Sequence, residues 1–271
     1  MWIVGVVMII GGGALLWASK KSERKARTME AAKTTTIADI QKIVQEIRDQ
    51  LEGGATGYTD YVELKGISRC AQPLTGEFSG EPAAIVHKKV ERQIETREES
   101  RDSEGNTTTS WRKSTDVLQD HEEEAEFTLE DESGAARVIP RGAELHLIER
   151  VDRFELPSAV EQQGNLSWGS FSLSMSSFNN NNRRTLGYRF IERALPVDHD
   201  LYILGEVADT DDGLVLQKPT DKNEGKPFIV SARSEAELIA SAESSAKSQK
   251  IGGVAAIILG IAVLIYGLTQ I

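Results

Sequence analysis

The chain has 271 residues, 42 Asp and Glu against 31 Lys and Arg, a formal net charge of -11 and one cysteine. A lone cysteine, Cys70, excludes an internal disulfide and any multi-cysteine zinc site built from these residues. The acidic balance, without a Lys/Arg stripe interleaved with aromatics, argues against a nucleic-acid groove, so nucleic acid is not an expected partner.

Both ends are apolar. Trp2 to Ala18 and Ile251 to Ile271 carry no charged residue, so every charge sits between them. A bilayer core of about 30 Å needs roughly 20 helical residues at 1.5 Å each. Residues 251–271 meet that length, and residues 2–18 sit at its lower limit. A cleaved signal peptide competes for the first segment, but it wants basic residues before its apolar run. Here Lys20, Lys21, Arg24, Lys25 and Arg27 follow it, which suits a retained anchor. Lys247 and Lys250 precede the second segment, so both positive flanks face inward. The positive-inside rule then places the central part in the cytoplasm of a two-span membrane protein. Trp2 and Trp17 bracket the first span and Tyr266 lies near the far end of the second, as in aromatic belts. Gly11, Gly12 and Gly13, and Gly252, Ala256 and Gly260 at every fourth residue, are candidate faces for a helix hairpin or a homo-oligomer. The basic residues over 19–56 read as a juxtamembrane linker that sets topology and can meet anionic headgroups.

Within that linker, Ile37, Ile40, Ile43, Val44, Ile47 and Leu51 recur at helical spacing. Thr36 with Asp39 caps this amphipathic helix and Gly53-Gly54 ends it; it docks on the next domain or lies on the membrane. From 57 to 233 the pattern turns to period two. Strands are expected over Tyr58–Ile67, Ala84–Glu95, Trp111–Leu118, Ala125–Glu130, Ala135–Ile139, Leu145–Val151, Thr185–Arg193, Leu201–Ala208, Leu214–Gln217 and Phe228–Ser231. Arg97–Ser110 reads as a polar hairpin tip, Ser174–Asn182 as an exposed loop and Glu122–Glu126 as a solvated acidic run. Ser234 with Glu237 forms a capping box, so a helical stalk over 234–250 is expected to run into the span at 251–271, with Gly252-Gly253 as a possible hinge. The fold class is thus a membrane-anchored α+β protein, a β-rich sandwich or barrel-like domain between two transmembrane helices.

No site chemistry emerges. His87, His121, His146 and His199 include no pair four residues apart, so the H-E-x-x-H pattern fails. Asp209, Asp211 and Asp212 precede Gly213 one position too early for a calcium loop, and Asp212-Gly213 reads as a hairpin turn. Neither a nucleophile elbow nor a phosphate loop is present. No catalytic, cofactor-binding or metal-ligating residue is assigned, and no cofactor is expected. Spans without charge make a poor ion path.

Three stretches carry a resemblance. PLTGEFSGEPAAIVHKKVER over 73–92, FTLEDESGAARVIPRGAE over 127–144 and RFIERALPVDHDLYILGEV over 189–207, followed by KPFIVS, lie in that order between the two apolar ends. This order resembles the GIDE-domain ("beside a membrane") family of membrane-anchored E3 ubiquitin ligases, over nearly the whole chain. The resemblance implies ubiquitin transfer by a cysteine-rich RING module after the second span, and nothing of that kind precedes Ile271. The expectation is therefore a prokaryotic, RING-less relative: a membrane-tethered binding, scaffold or sensing module whose partners are the bilayer and a protein or small ligand. A ubiquitin-type transferase or its accessory is the alternative. Of the matching residues, Gly134 and Gly142 suit turns, Pro140 a strand end, and Phe127 with Leu129 one strand face.

Overall fold

The computed structural model describes residues 2–50, 56–101, 106–174, 182–220 and 225–269. In chain order the elements are α1 (Trp2–Ala31), α2 (Ile37–Gln50), β1 (Thr59–Arg69), β2 (Leu74–Thr75), β3 (Pro82–Arg101), β4 (Thr107–Glu124), β5 (Phe127–Asp131), β6 (Gly134–Val138), β7 (Glu144–His146) and β8 (Ile148–Glu155). There follow α3 (Pro157–Val160), β9 (Glu161–Gln162), β10 (Asn165–Trp168), β11 (Phe171–Ser174), β12 (Arg183–Pro196), β13 (Asp200–Thr210), β14 (Gly213–Gln217), β15 (Ile229–Ser231) and α4 (Glu235–Thr269). The α+β class stands, with strands between two long apolar helices. The end of α2 at Gly53-Gly54, the loop over 175–181 and the Trp2 side chain lie outside the described residues.

The chain divides into two compact units, one of residues 1–65, 141–144 and 201–271, the other of 66–140 and 145–200. The first unit takes in both terminal helices because they contribute to its core. Ala26 and Met29 of α1 and Leu238 and Ala242 of α4 are buried with Tyr202, Leu204 and Ile229. Through the stretch read as linker from residue 19, α1 continues without a break to Ala31. α2 docks through buried Ile37, Ile40 and Val44, its start capped by the Thr36 hydroxyl, which accepts from the Asp39 N–H at 3.2 Å.

α1 and α4 pack against each other along a seam of small residues. Gly5, Gly12, Ser19 and Ala26 are buried on one helix, Ala246, Gly253, Gly260 and Gly267 on the other. Each series steps by seven, the interval that keeps a seam facing its partner in a left-handed pair. A methyl on Gly12 would come within 2.7 Å of the Gly253 carbonyl oxygen, and one on Gly5 within 2.7 Å of that of Gly260. Of the four-residue face Gly252-Ala256-Gly260, Gly260 lies on this seam, and nothing lies within 4 Å of where a methyl on Gly11 or Gly13 would sit. The seam turns polar above the apolar stretch, where Ser19 Oγ donates to the Ala246 carbonyl at 2.8 Å and Ser22 Oγ to Gln249 Oε1 at 3.4 Å. Helix α4 starts on the expected capping box. Glu237 accepts from the Ser234 N–H at 2.9 Å and hydroxyl at 2.8 Å, and the helix then runs through Gly252-Gly253 unbroken.

The second unit is built on one long antiparallel hairpin. β3 pairs with β4 from Ile85↔Glu124 to Arg101↔Thr107, with a bulge at Val90/Glu91. On its other side β3 pairs with β12, which pairs in turn with β8. The strands run well beyond the expected return segment, so most of the polar tip over 97–110 is ladder: backbone pairing holds it, with little burial. Sequence patterning also missed the three-stranded sheet β9-β10-β11. It covers an aromatic core in which Phe78, Phe171 and Phe190 meet edge to face at 5.5–6.2 Å and Trp168 stacks on Phe190 at 4.9 Å. Aromatic pairs in these geometries add stability beyond the area they bury.

Candidate functional site

Two kinds of arrangement stand out, a charged cleft in the first unit and buried carboxylates in both. The cleft opens between α1 and α4 where the charged residues begin. Ala26 and Ala246 form its floor, Glu23, Arg27 and Glu30 one wall, and Glu243, Lys247 and Lys250 the other, around about 370 Å³. The basic cluster after the first apolar stretch is thus divided by the helix. Arg27 lines the cleft, Lys25 pairs with Glu144, and Lys20, Lys21 and Arg24 face outward.

Four of the buried carboxylates each hold a turn or an element end. Glu192, fully buried on β12, accepts from the backbone N–H groups of Phe78 at 2.8 Å and Ser79 at 3.2 Å. Gly76 lies so close that any side chain there would strike the Glu192 carboxylate. Glu206, fully buried on β13, accepts from the Thr220 hydroxyl at 2.7 Å and N–H at 3.2 Å. Beside it, a methyl on Gly205 would come within 2.6 Å of the Phe228 ring. Glu63, 1% exposed, accepts from the Thr34 hydroxyl at 2.6 Å and Tyr202 Oη at 3.3 Å and pairs with Lys65 at 3.1 Å. Burial, reinforced by the Glu63 charge, pushes the Tyr202 phenol far above its ordinary range.

Asp209 is the fourth such residue. It accepts from both Thr56 Oγ1 at 2.9 Å and the Thr56 N–H at 3.3 Å, and Arg48 of α2 reaches it at 3.0 Å. Burial works to raise its carboxyl pKa, yet the Thr56 hydrogen bonds and the Arg48 charge outweigh that and hold it below the usual value. The hairpin reading of this stretch holds, since Thr210 pairs with Gly213, which adopts φ 101°.

The histidines stay apart. His87 Nε2 meets Asp120 at 2.8 Å and His121 Nε2 meets Glu123 at 3.2 Å, both at the surface. Cys70 is half-buried, its thiol directed at the Glu126 carbonyl at 3.2 Å. Among the described residues no group of three or more His, Cys, Asp or Glu is placed to hold a metal.

These contacts explain the sequence stretches that looked familiar. G-E-F-S-G over 76–80 is held by the Glu192 of E-R-A-L-P, and L-G-E over 204–206 lies against the Phe228 of K-P-F-I-V-S. Phe127 and Leu129 are buried, and Gly142 takes φ 80°. A family model described as GIDE, E3 ubiquitin ligase, matches residues 95–265. The chain belongs to the GIDE family. No curated protein and no solved structure matches it. In this GIDE chain the matching residues pin turns to strands, which gives them architectural roles. Sequence reasoning missed Glu63, Glu192 and Glu206 as buried carboxylates and weighed Asp209 only for a calcium loop. Their signal was an acid among apolar residues inside a strand, as in V-E-L at Glu63 and L-G-E-V at Glu206.

Proposed function

We propose that this GIDE chain is a membrane-tethered binding and scaffold module, its two terminal helices crossing a bilayer as a hairpin and its folded part held at the cytoplasmic face. One observation carries the reading. The exposed large apolar side chains of the helices, among them Ile3, Val7, Ile10 and Trp17 and then Ile251, Ile258, Ile265 and Tyr266, form a collar over the charge-free stretches. In water such a collar is a large unpaired apolar surface; in a bilayer it is solvated by acyl chains. Both helices are long and apolar enough to cross. The basic residues at their inner ends support a cytoplasmic folded part. Two anchors and an unbroken α4 fix the height and orientation of the strands, so a partner is met without the entropy of a free tether. The test is carbonate extraction of membranes from expressing cells, followed by protease treatment from each side. Retention in the membrane pellet with digestion only from the cytoplasmic side is expected; release into the supernatant contradicts the anchors.

A second reading follows from the family description: a transferase, or an accessory to one, in ubiquitin-type transfer. Its only thiol is Cys70. A reconstituted transfer assay with the full chain and Cys70→Ser decides whether a thioester forms there. Transfer lost in the variant favours this reading, and transfer unchanged removes the thioester.

A further inference from the structure

The cleft between α1 and α4 has a balanced charge that a simple anion site lacks. Glu23, Glu30 and Glu243 oppose Arg27, Lys247 and Lys250 around one volume of about 370 Å³. Among the described residues none of these six stands in an ion pair within 4 Å. Neighbouring charges of opposite sign usually find each other on a helix face; here both signs are left open to the same space. A bare phosphate gains from the three cations and loses to the three carboxylates. A group carrying one phosphate and one primary ammonium satisfies both sets.

The height of the cleft narrows the source. Lys250 directly precedes the apolar run, and Glu243 lies about 10 Å further along the helix at 1.5 Å per residue. The polar layer outside the hydrocarbon core is about 5–8 Å deep on each side. The Lys250 end of the cleft therefore lies within the headgroup layer and the Glu243 end just above it. The volume is at the small end of ligand sites, enough for a headgroup and too little for acyl chains. Those chains have the exposed collar beneath, where Trp17, Ile251 and Val254 are 68%, 62% and 46% exposed.

We propose that this cleft binds the headgroup of an amine-bearing zwitterionic phospholipid, its phosphate on Lys250, Lys247 and Arg27 and its ammonium donating to the carboxylates. The proposal rests on α1 and α4 crossing a bilayer, which carbonate extraction checks separately. The test is native mass spectrometry of the full chain released from nanodiscs of equal parts phosphatidylethanolamine, phosphatidylglycerol and phosphatidylcholine. One retained phosphatidylethanolamine is expected, enriched roughly fivefold, the ratio that about 1 kcal/mol of preference gives. Arg27→Gln with Lys247→Gln, and separately Glu30→Gln with Glu243→Gln, should each return the retained lipid to bulk proportions. Unchanged thermal unfolding of both variants shows that folding is intact, since neither removes an ion pair. Excess soluble phosphoethanolamine should leave the lipid in place; displacement by it moves the source to the free compound and contradicts the lipid assignment. Retention in bulk proportions, no retention, or enriched phosphatidylglycerol that survives the Glu→Gln pair overturns the proposal.

Discussion

The helix pair of the first unit and the sheet core of the second close by opposite means. In the first, Gly5, Gly12, Ser19 and Ala26 of α1 line one side of the seam and Ala246, Gly253 and Gly260 of α4 the other, and the backbones approach too closely for a methyl at Gly5 or Gly12. In the second, Phe78, Trp168, Phe171 and Phe190 fill the space between a long hairpin sheet and a small covering sheet. Under the proposed membrane-hairpin reading, the difference follows from the solvent around each. Between helices in lipid, burying a large apolar side chain gains little, so close van der Waals approach of small residues does the work. In water, removing aromatic surface from solvent is the dominant gain. Small residues at the seam and large ones in the sheet core should therefore respond oppositely to a change in volume.

The largest effect is expected from Phe190→Ala, which opens a cavity in the aromatic core; about 4 kcal/mol should be lost in denaturant unfolding of the full chain in detergent, followed by tryptophan fluorescence. Next comes an addition at the seam. Gly12→Val overpacks the helix pair and should cost about 3 kcal/mol in unfolding by mixed detergent, whereas Gly11→Val and Gly13→Val meet open space and should leave the pair unchanged. If all three behave alike, the seam is misplaced.

Asp209→Asn should cost about 2 kcal/mol, because Arg48 and Thr56 lose a buried acceptor of full charge. The sign of its pH dependence is fixed. The folded carboxyl lies below its ordinary value of 3.8, so its contribution is present above about pH 4 and lost as pH falls through the folded value. Melting temperature measured from pH 7 down to pH 3 should fall with acid in the natural chain, and Asp209→Asn should lack that part of the slope. Ser19→Ala is the mildest change. It leaves one Ala246 carbonyl short of a donor and should cost about 1 kcal/mol.

Much of this division was legible in the sequence. Long charge-free ends and a capping box at Ser234 were enough for the first part of α1 and for α4, while the continuation of α1 from Ser19 to Ala31 was read as linker. Period-two stretches located most of the long strands. The register of the helix pair was not legible, because Gly252, Ala256 and Gly260, and Gly11 to Gly13, offer several faces and the choice depends on the opposing helix. Residues 161–174 were missed because two- to four-residue strands broken at Gly164 and Gly169 are too short to show a period. The ends of the long hairpin at 97–101 and 107–110 were read as loop because exposed ladder carries no burial pattern. Glu192, Glu206 and Glu63 escaped notice because an acidic residue is read as solvated unless its partner is known, and here the partners are main-chain N–H groups or hydroxyls distant in sequence. The division into two units was hidden because the chain crosses between them four times.

The central claim is that α1 and α4 of one chain share a single seven-residue seam that continues into the core of the first unit. Its most direct test is a disulfide between Ser19→Cys and Ala246→Cys in a Cys70→Ser background, formed in native membranes and scored by gel mobility. The account predicts rapid cross-linking within one chain, and none for the off-register pair Gly13→Cys with Ala256→Cys. Cross-linking between chains in place of within them, or equal efficiency for both pairs, would contradict it.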